Sequence, residues 1–185
     1  MSSGSADPSS PAVSVRDAGL ADAAACAAIY APYVRDTAVS FESVPPTPEQ
    51  VADRIAAALA THAWLVATLP PDGRVVGFAY AGPFAARPAY RWTCETSVYV
   101  EPGRRRTGAG RALGTALLGR LTALSYRQAV AGYTEPNPAS AGLHRALGYE
   151  VVGTFRAVGF KHGTWHDVTR VQRALGPGAR TPPAA

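Results

Sequence analysis

Val98-Tyr99-Val100-Glu101-Pro102-Gly103-Arg104-Arg105-Arg106-Thr107-Gly108-Ala109-Gly110-Arg111 runs from a β-branched and aromatic segment, through a basic turn, into a helix that opens at glycines. A strand that hands over to a helix in this way leaves the first-turn N–H groups pointing at one spot. The positive end of the helix dipole adds to them, and the combination suits a pyrophosphate. Gly108 and Gly110 carry no side chains, so an anion can approach the main chain closely. Arg104, Arg105 and Arg106 supply charge-assisted hydrogen bonds. Two nucleotide-binding alternatives fit poorly. No G-x-x-x-x-G-K-[ST] occurs, and Leu113 stands where the third glycine of G-x-G-x-x-G belongs.

Outward from this segment, residues 92–100 read as a strand and residues 111–124 as a helix with Leu113, Leu117, Leu121 and Leu124 on one stripe. Residues 129–134 read as the next strand, so the passage is expected to be a right-handed parallel crossover. A short helix over residues 139–147 is closed by Gly148, a left-handed C-cap. Strands over residues 151–158 and 164–173 follow, separated by Lys161-His162-Gly163. Upstream, residues 13–16 form a short strand. Residues 20–34 form a helix with Cys26, Ile29, Tyr30 and Tyr33 on one face, which Pro32 should break or kink. Thr47-Pro48-Glu49-Gln50 supplies an N-cap, a proline at the first helical position and a capping-box partner. Val51, Ile55 and Leu59 continue that helix at four-residue intervals. Residues 64–69 and 75–81 flank Pro70-Pro71-Asp72-Gly73 as a hairpin, and a proline-rich loop spans residues 82–90. The expected order is β-α-α-β-β-β-α-β-α-β-β. That makes an α/β (α+β) fold: a mixed, mostly antiparallel sheet with one parallel β-α-β crossover and helices on both faces.

With 185 residues, 47% hydrophobic and 17% charged, the chain suits one domain, expected over residues 13–175. Residues 1–12 and 176–185 are Ser/Pro/Ala- or Gly/Pro-rich and are expected to be disordered tails. No apolar run approaches the roughly 18 residues a membrane span needs, and the N-terminal segment lacks the pattern of a secretory signal. Cys26 and Cys94 sit far apart with no CxxC unit, which fits a reduced, cytoplasmic setting without a disulfide framework or a zinc cage. The net charge of +5 suggests an anionic ligand without choosing among nucleic acid, phosphate and carboxylate.

Arg105-x-x-Gly108-x-Gly110 between a strand and a helix resembles the acetyl-coenzyme A signature of the GNAT acetyltransferase superfamily. Asn137-Pro138-Ala139-Ser140-Ala141-Gly142-Leu143-His144-Arg145-Ala146-Leu147-Gly148-Tyr149 resembles its second coenzyme motif. Three further segments resemble the phosphinothricin N-acetyltransferases: Ala79-Tyr80-Ala81-Gly82-Pro83-Phe84-x-Ala86-Arg87-x-Ala89-Tyr90-x-Trp92-Thr93, Glu95-x-Ser97-Val98-Tyr99-Val100, and Gly159-Phe160-Lys161-His162-Gly163-x-Trp165-His166-Asp167-Val168. The similarity runs over residues 13–173. Phe84 departs from it, since that family often has Trp there. Relatives acting on methionine sulfone or sulfoximine share the framework, so the resemblance fixes the class better than the substrate.

The resemblance implies the GNAT fold and acetyl-CoA as co-substrate, with no metal. It also implies a small amino acid resembling glutamate as acceptor, no nucleic-acid or membrane partner, and a homodimer. Val98, Tyr99, Val100, Arg105, Arg106, Thr107, Gly108, Ala109, Gly110, Arg111, Asn137 and Ser140 are the expected coenzyme contacts. Glu95 is the candidate base, acting directly or through water, because amine acetylation requires a neutral nitrogen. A main-chain N–H near Val98 or Val100 is the natural donor to the oxyanion. His144 is a candidate acid for the departing thiolate, or a second base. Arg87 and Tyr90 should meet an anionic substrate group, with Phe41 and Glu42 closing the pocket from the other side. Lys161, the only lysine, is a candidate for the substrate's anionic end or for a neighbouring subunit. His162-x-x-x-His166-Asp167 reads as a structural hairpin, with Trp165 packing inward, rather than as a metal site. A nucleic-acid-binding module and a non-catalytic acyl-CoA sensor remain as alternatives, separable by salt-dependent DNA affinity and by thiol release with a panel of amines.

Overall fold

The computed structural model describes residues 13–104 and 107–176, so the expected tails lie outside the described residues except for Gly176, as do Arg105 and Arg106. Seven strands form one sheet: β1 (Ser14–Asp17), β2 (Trp64–Leu69), β3 (Arg74–Pro83), β4 (Thr93–Val100), β5 (Gln128–Thr134), β6 (Glu150–Lys161) and β7 (Thr164–Ala174). Their order is β1-β2-β3-β4-β5-β7-β6, and every neighbouring pair is antiparallel except β4–β5. Helices α1 (Ala23–Asp36) and α2 (Pro48–Thr61) join β1 to β2, α3 (Ala109–Ala123) joins β4 to β5, and α4 (Pro138–Ala146) joins β5 to β6.

Alternation along β2 divides the core. Ala63, Leu65 and Ala67 pack with Leu113, Leu117 and Leu121 of α3, whereas Trp64 and Val66 pack with Ile29, Val34 and Ile55 of α1 and α2. The central strands, covered on both faces, therefore read as nearly continuous apolar runs.

The α2 start forms as its sequence predicts. Thr47 Oγ1 accepts from Gln50 N at 3.3 Å, and Gln50 Oε1 accepts from Thr47 N at 2.9 Å. Gly148, at φ +77°, ends α4 in a Schellman motif, with Tyr149 N donating to His144 O and Gly148 N to Arg145 O, both at 3.0 Å.

Four local expectations are corrected. Pro32 does not end α1, which runs on to Asp36. Loss of one helical bond costs about 3 kcal/mol, and burial of Ile29, Tyr30 and Val34 offsets it at about 1.5–3 kcal/mol for a large apolar side chain. Leu59 is exposed and Ala58 is buried instead. A four-residue step overshoots one helical turn by about 40°, so two steps carry residue 59 off the buried face. Leu124 leaves the α3 stripe because the helix stops at Ala123 and Ser125 turns left-handed at φ +67°. Trp165 is 63% exposed rather than inward. It lies in the part of the β6–β7 hairpin that extends beyond the Thr134 end of β5, where its neighbour is Phe160 at 5.2 Å between ring centroids. His162 and Gly163 both have positive φ, 51° and 76°, as a two-residue hairpin turn requires. His162 and His166 therefore do not share a helix face.

Candidate active site

The site begins where β4 and β5 part. Their parallel pairing covers only Thr93↔Gln128, Cys94↔Ala129 and Glu95↔Val130. Beyond Glu95, β4 continues against β3 alone. Glu101 N donates to Val76 O at 2.8 Å. Main-chain direction alternates along an antiparallel pair, so Tyr99, Ser97 and Glu95 also turn their amides toward β3. Val98 and Val100 turn theirs the other way, into the opening. Tyr33 of α1 donates its hydroxyl to Val100 O at 2.5 Å, closing the far side.

The opening widens into a cleft of about 770 Å³, in the size range of small-molecule sites. Val98–Val100 form one wall, the N-terminus of α3 the end, and α4 the other wall through Asn137, Ser140 and His144. Gly108 is the N-cap of α3 at φ +82°, a conformation that suits glycine. The first intrahelical bond runs from Ala112 N to Gly108 O at 2.9 Å. The amides of Ala109, Gly110 and Arg111 consequently have no acceptor within the helix. Arg104, Thr107 and Arg111 also line this end. Glu101 takes up part of the basic charge: Arg74 and Arg104 both pair with it, at 2.7 and 2.5 Å, and hold its carboxyl below the usual range. These amides and arginines fit a diphosphate, and the long slot along β4 fits the arm attached to it.

Asn137 has two aspects. Its Oδ1 accepts from Ser140 N at 3.0 Å, capping α4, and the residue also lines the cleft. His144 is buried, stacked on Tyr133 and edge-on to Tyr149. Its Nδ1 lies 2.8 Å from Ser140 O. A carbonyl only accepts, so Nδ1 carries the proton and Nε2 is left as an acceptor. Burial pulls the imidazole below its ordinary 6.5, which favours the neutral ring. Below pH 6.5 the unfolded chain takes up a proton here before the folded one does, and stability falls toward the lower folded value. An NMR titration of the His144 ring should give a midpoint below 6.5; a midpoint at or above the ordinary value contradicts the burial argument.

Glu95 sits on the opposite face of β4 from Cys94 and Thr96, toward α1 and α2. Its carboxylate is 39% exposed and accepts from Arg170 Nη1 at 2.7 Å. Tyr80 of β3, paired with Ser97, stands beside it. Around this face, Glu42 accepts from Tyr30 at 2.9 Å and from Arg54 at 2.8 and 3.0 Å, and Arg54 holds it below the usual carboxylate range. Phe41 packs its ring over Gly159 and lies 6.1 Å from His166 between centroids. Lys161 donates to Val34 O at 2.5 Å and Ser40 O at 2.6 Å, clasping the last turn of α1 and the loop after it to the β6–β7 hairpin. The structure thus brings Phe41, Glu42 and Lys161 together. It uses the ammonium to hold the loop that carries the other two. Arg87 and Tyr90 lie on the separate, exposed β3–β4 loop, where Tyr90 meets Phe84 edge-on at 5.5 Å.

Cys26 and Cys94 are fully buried on opposite faces of the sheet, and burial pushes both thiols up to about 12. Neither is a nucleophile at neutral pH. Tyr33, Tyr80, Arg54 and Arg170 were given no role by sequence. The Glu95–Arg170 pair spans 75 positions and has no local signature.

Residues 15–169 match the acetyltransferase (GNAT) domain family. The chain is 43% identical over 161 residues to the phosphinothricin N-acetyltransferase of Streptomyces viridochromogenes, with 87% of each protein covered. It is 37% identical over 173 residues to the L-methionine sulfoximine/L-methionine sulfone acetyltransferase of Pseudomonas aeruginosa, covering 91% of this chain and 98% of that one. The crystal structure of a GNAT superfamily phosphinothricin acetyltransferase from Sinorhizobium meliloti in complex with AcCoA is 40% identical, with a TM-score of 0.88 over 93% of each chain.

Proposed function

The chain belongs to the GNAT acetyltransferase family, and on that premise we propose that it transfers acetyl from acetyl-CoA to the α-amino group of a glutamate-analogue amino acid such as phosphinothricin. The parting of β4 from β5 carries this assignment. It presents the Val98 and Val100 main chain along a slot that ends at the amides of Ala109, Gly110 and Arg111. Those amides, with Arg111 and Thr107, hold the diphosphate of the coenzyme. The pantetheine arm lies along β4 with its thioester beside Val98.

The substrate amine approaches from the Glu95 side of the sheet. Glu95 takes a proton from the ammonium, directly or through water, and the neutral nitrogen attacks the thioester carbon. The Val98 amide donates to the oxyanion, and collapse expels the coenzyme A thiolate while the nitrogen gives up its second proton to that thiolate or to water, leaving the neutral amide. A thiolate is a good enough leaving group at neutral pH to depart without a strong acid. His144, neutral and tied through Nδ1 to Ser140 O, therefore shapes the cleft wall. The buried thiols favour direct attack in a ternary complex over an acetyl-cysteine intermediate. Arg87 and Tyr90 are the arms that meet the substrate's anionic end, an arginine fork matching phosphinate or carboxylate geometry.

Comparison of kcat/KM for phosphinothricin, methionine sulfoximine, methionine sulfone and ordinary amino acids tests the substrate class. The glutamate-like inhibitors should lead, and a uniform profile contradicts the proposal. Methionine sulfoximine and sulfone are the second reading, favoured by the 37% identity to the Pseudomonas enzyme.

A homodimer and a cytoplasmic setting complete the proposal. Val151, Val152, Phe155, Val158, Phe160 and Trp165 are each more than half exposed on the edge strand β6 and its hairpin, an apolar surface that a second copy would cover. Phe160→Glu with Trp165→Glu should sediment as a monomer while the wild-type chain sediments as a dimer; a wild-type monomer removes the dimer. Free, buried thiols suit a reducing compartment. Among the described residues, no helix is long and apolar enough to cross a membrane.

A further inference from the structure

Glu95 and Arg170 meet across an intervening strand. Glu95 is on β4 and Arg170 on β7, with β5 between them. Arg170 is paired with Gly132 of β5, and its guanidinium passes over that glycine to reach Glu95 Oε1 at 2.7 Å. A methyl group built at Gly132 stands 2.9 Å from Arg170 Nη1 and 3.3 Å from its Cδ. Position 132 is thus a slot that the arginine fills. Neither partner is fully exposed, at 24% for Arg170 and 39% for Glu95, so water screens the pair less than a fully exposed contact. Tyr80 faces the same spot from β3, with Arg54 and Glu42 within its electrostatic reach.

The geometry points to Arg170 as the positioning residue of the proton acceptor, admitted to its place by Gly132. This rests on the assignment of Glu95 as the base. Proton transfer demands a carboxylate oxygen within hydrogen-bond reach of the amine or of one water. A carboxylate at the rim of a cleft has several rotamers of similar energy. Fixing Oε1 on the guanidinium selects one of them and sets the direction of the other oxygen. Arg170 does not line the coenzyme cleft and acts through Glu95.

Gly132→Ala isolates the effect. The added methyl meets the far end of a flexible side chain, and alanine is no worse than glycine in a strand, so the fold persists while the arginine is displaced. Steady-state kcat, the calorimetric Kd for acetyl-CoA and the melting temperature are measured for Gly132→Ala, Arg170→Ala, Arg170→Lys, Glu95→Gln and the Glu95→Gln/Arg170→Ala double variant. Expected are a kcat lowered on the order of tenfold to a hundredfold in Gly132→Ala and Arg170→Ala, the scale of small misplacements of a catalytic group. Arg170→Lys restores part of the loss, because it keeps a donor but not the fork. The acetyl-CoA Kd and the melting temperature of Gly132→Ala stay at wild-type values. In the Glu95→Gln background, removing Arg170 costs nothing more. Wild-type kcat in Gly132→Ala, or an equal Arg170→Ala loss with and without Glu95, overturns the positioning role. Wild-type kcat in Glu95→Gln alone removes the base assignment itself, a distinct result.

Discussion

Glu95→Gln is expected to lower kcat by about 10²- to 10⁴-fold, the range supplied by a positioned general base, while acetyl-CoA binds with its wild-type Kd. The two effects separate because the sites proposed for the two ligands lie on opposite sides of β4. In the proposed assignment the coenzyme lies against the main chain of Val98 and Val100 and the α3 N-terminus, whereas Glu95 projects toward α1 and α2. Glutamine has the shape of glutamate but cannot accept a proton, so the amine remains an unreactive ammonium at neutral pH. Arg170 loses its ionic partner in this variant. A glutamine amide oxygen can still accept from the guanidinium, so the fold should survive. Raising the pH should recover part of the rate as free amine accumulates. Near-wild-type kcat at neutral pH contradicts the role of Glu95.

Leu117→Ala should be strongly damaging although it lies away from the site. Leu117 is 1% exposed at the middle of α3, in the cluster that contains Leu65, Ala79 and Ala131. Truncating a buried leucine costs about 2–5 kcal/mol in transfer energy and cavity formation. For a chain of this size that is a fall of about 4–20 °C in melting temperature. The N-terminus of the same helix is the proposed seat of the coenzyme, so acetyl-CoA at about 100 times its Kd should return roughly 2.7 kcal/mol. An unchanged melting temperature contradicts the packing described for α3.

Much of the fold was legible because local chemistry agreed with the global arrangement. The Thr47–Gln50 capping box, the Gly148 cap and the glycine-led start of α3 each follow from a few adjacent residues, and each formed. The errors arose where tertiary burial overrode a local preference, as at Pro32, or where a four-residue count drifted off the helical period, as at Leu59. Trp165 looked like core because it is aromatic, yet the strand bearing it outruns the sheet that would cover it. At the site, the residues that line the cleft between β4 and α4 were readable as two local motifs. Their partners were not. Tyr33 reaches Val100 across 67 positions, and Lys161 reaches Val34 across 127, distances over which sequence spacing carries no geometric information.

Calorimetric titration with acetyl-CoA and with S-acetylpantetheine, which has the same thioester and arm but lacks the diphosphate, addresses the α3 N-terminus as an anion cradle. Acetyl-CoA should bind with one site per chain, and S-acetylpantetheine should bind at least about tenfold more weakly, since each lost charge-assisted contact removes about 1.5–3 kcal/mol. Absence of heat with acetyl-CoA, or equal affinity for the two compounds, would contradict the assignment of this cleft.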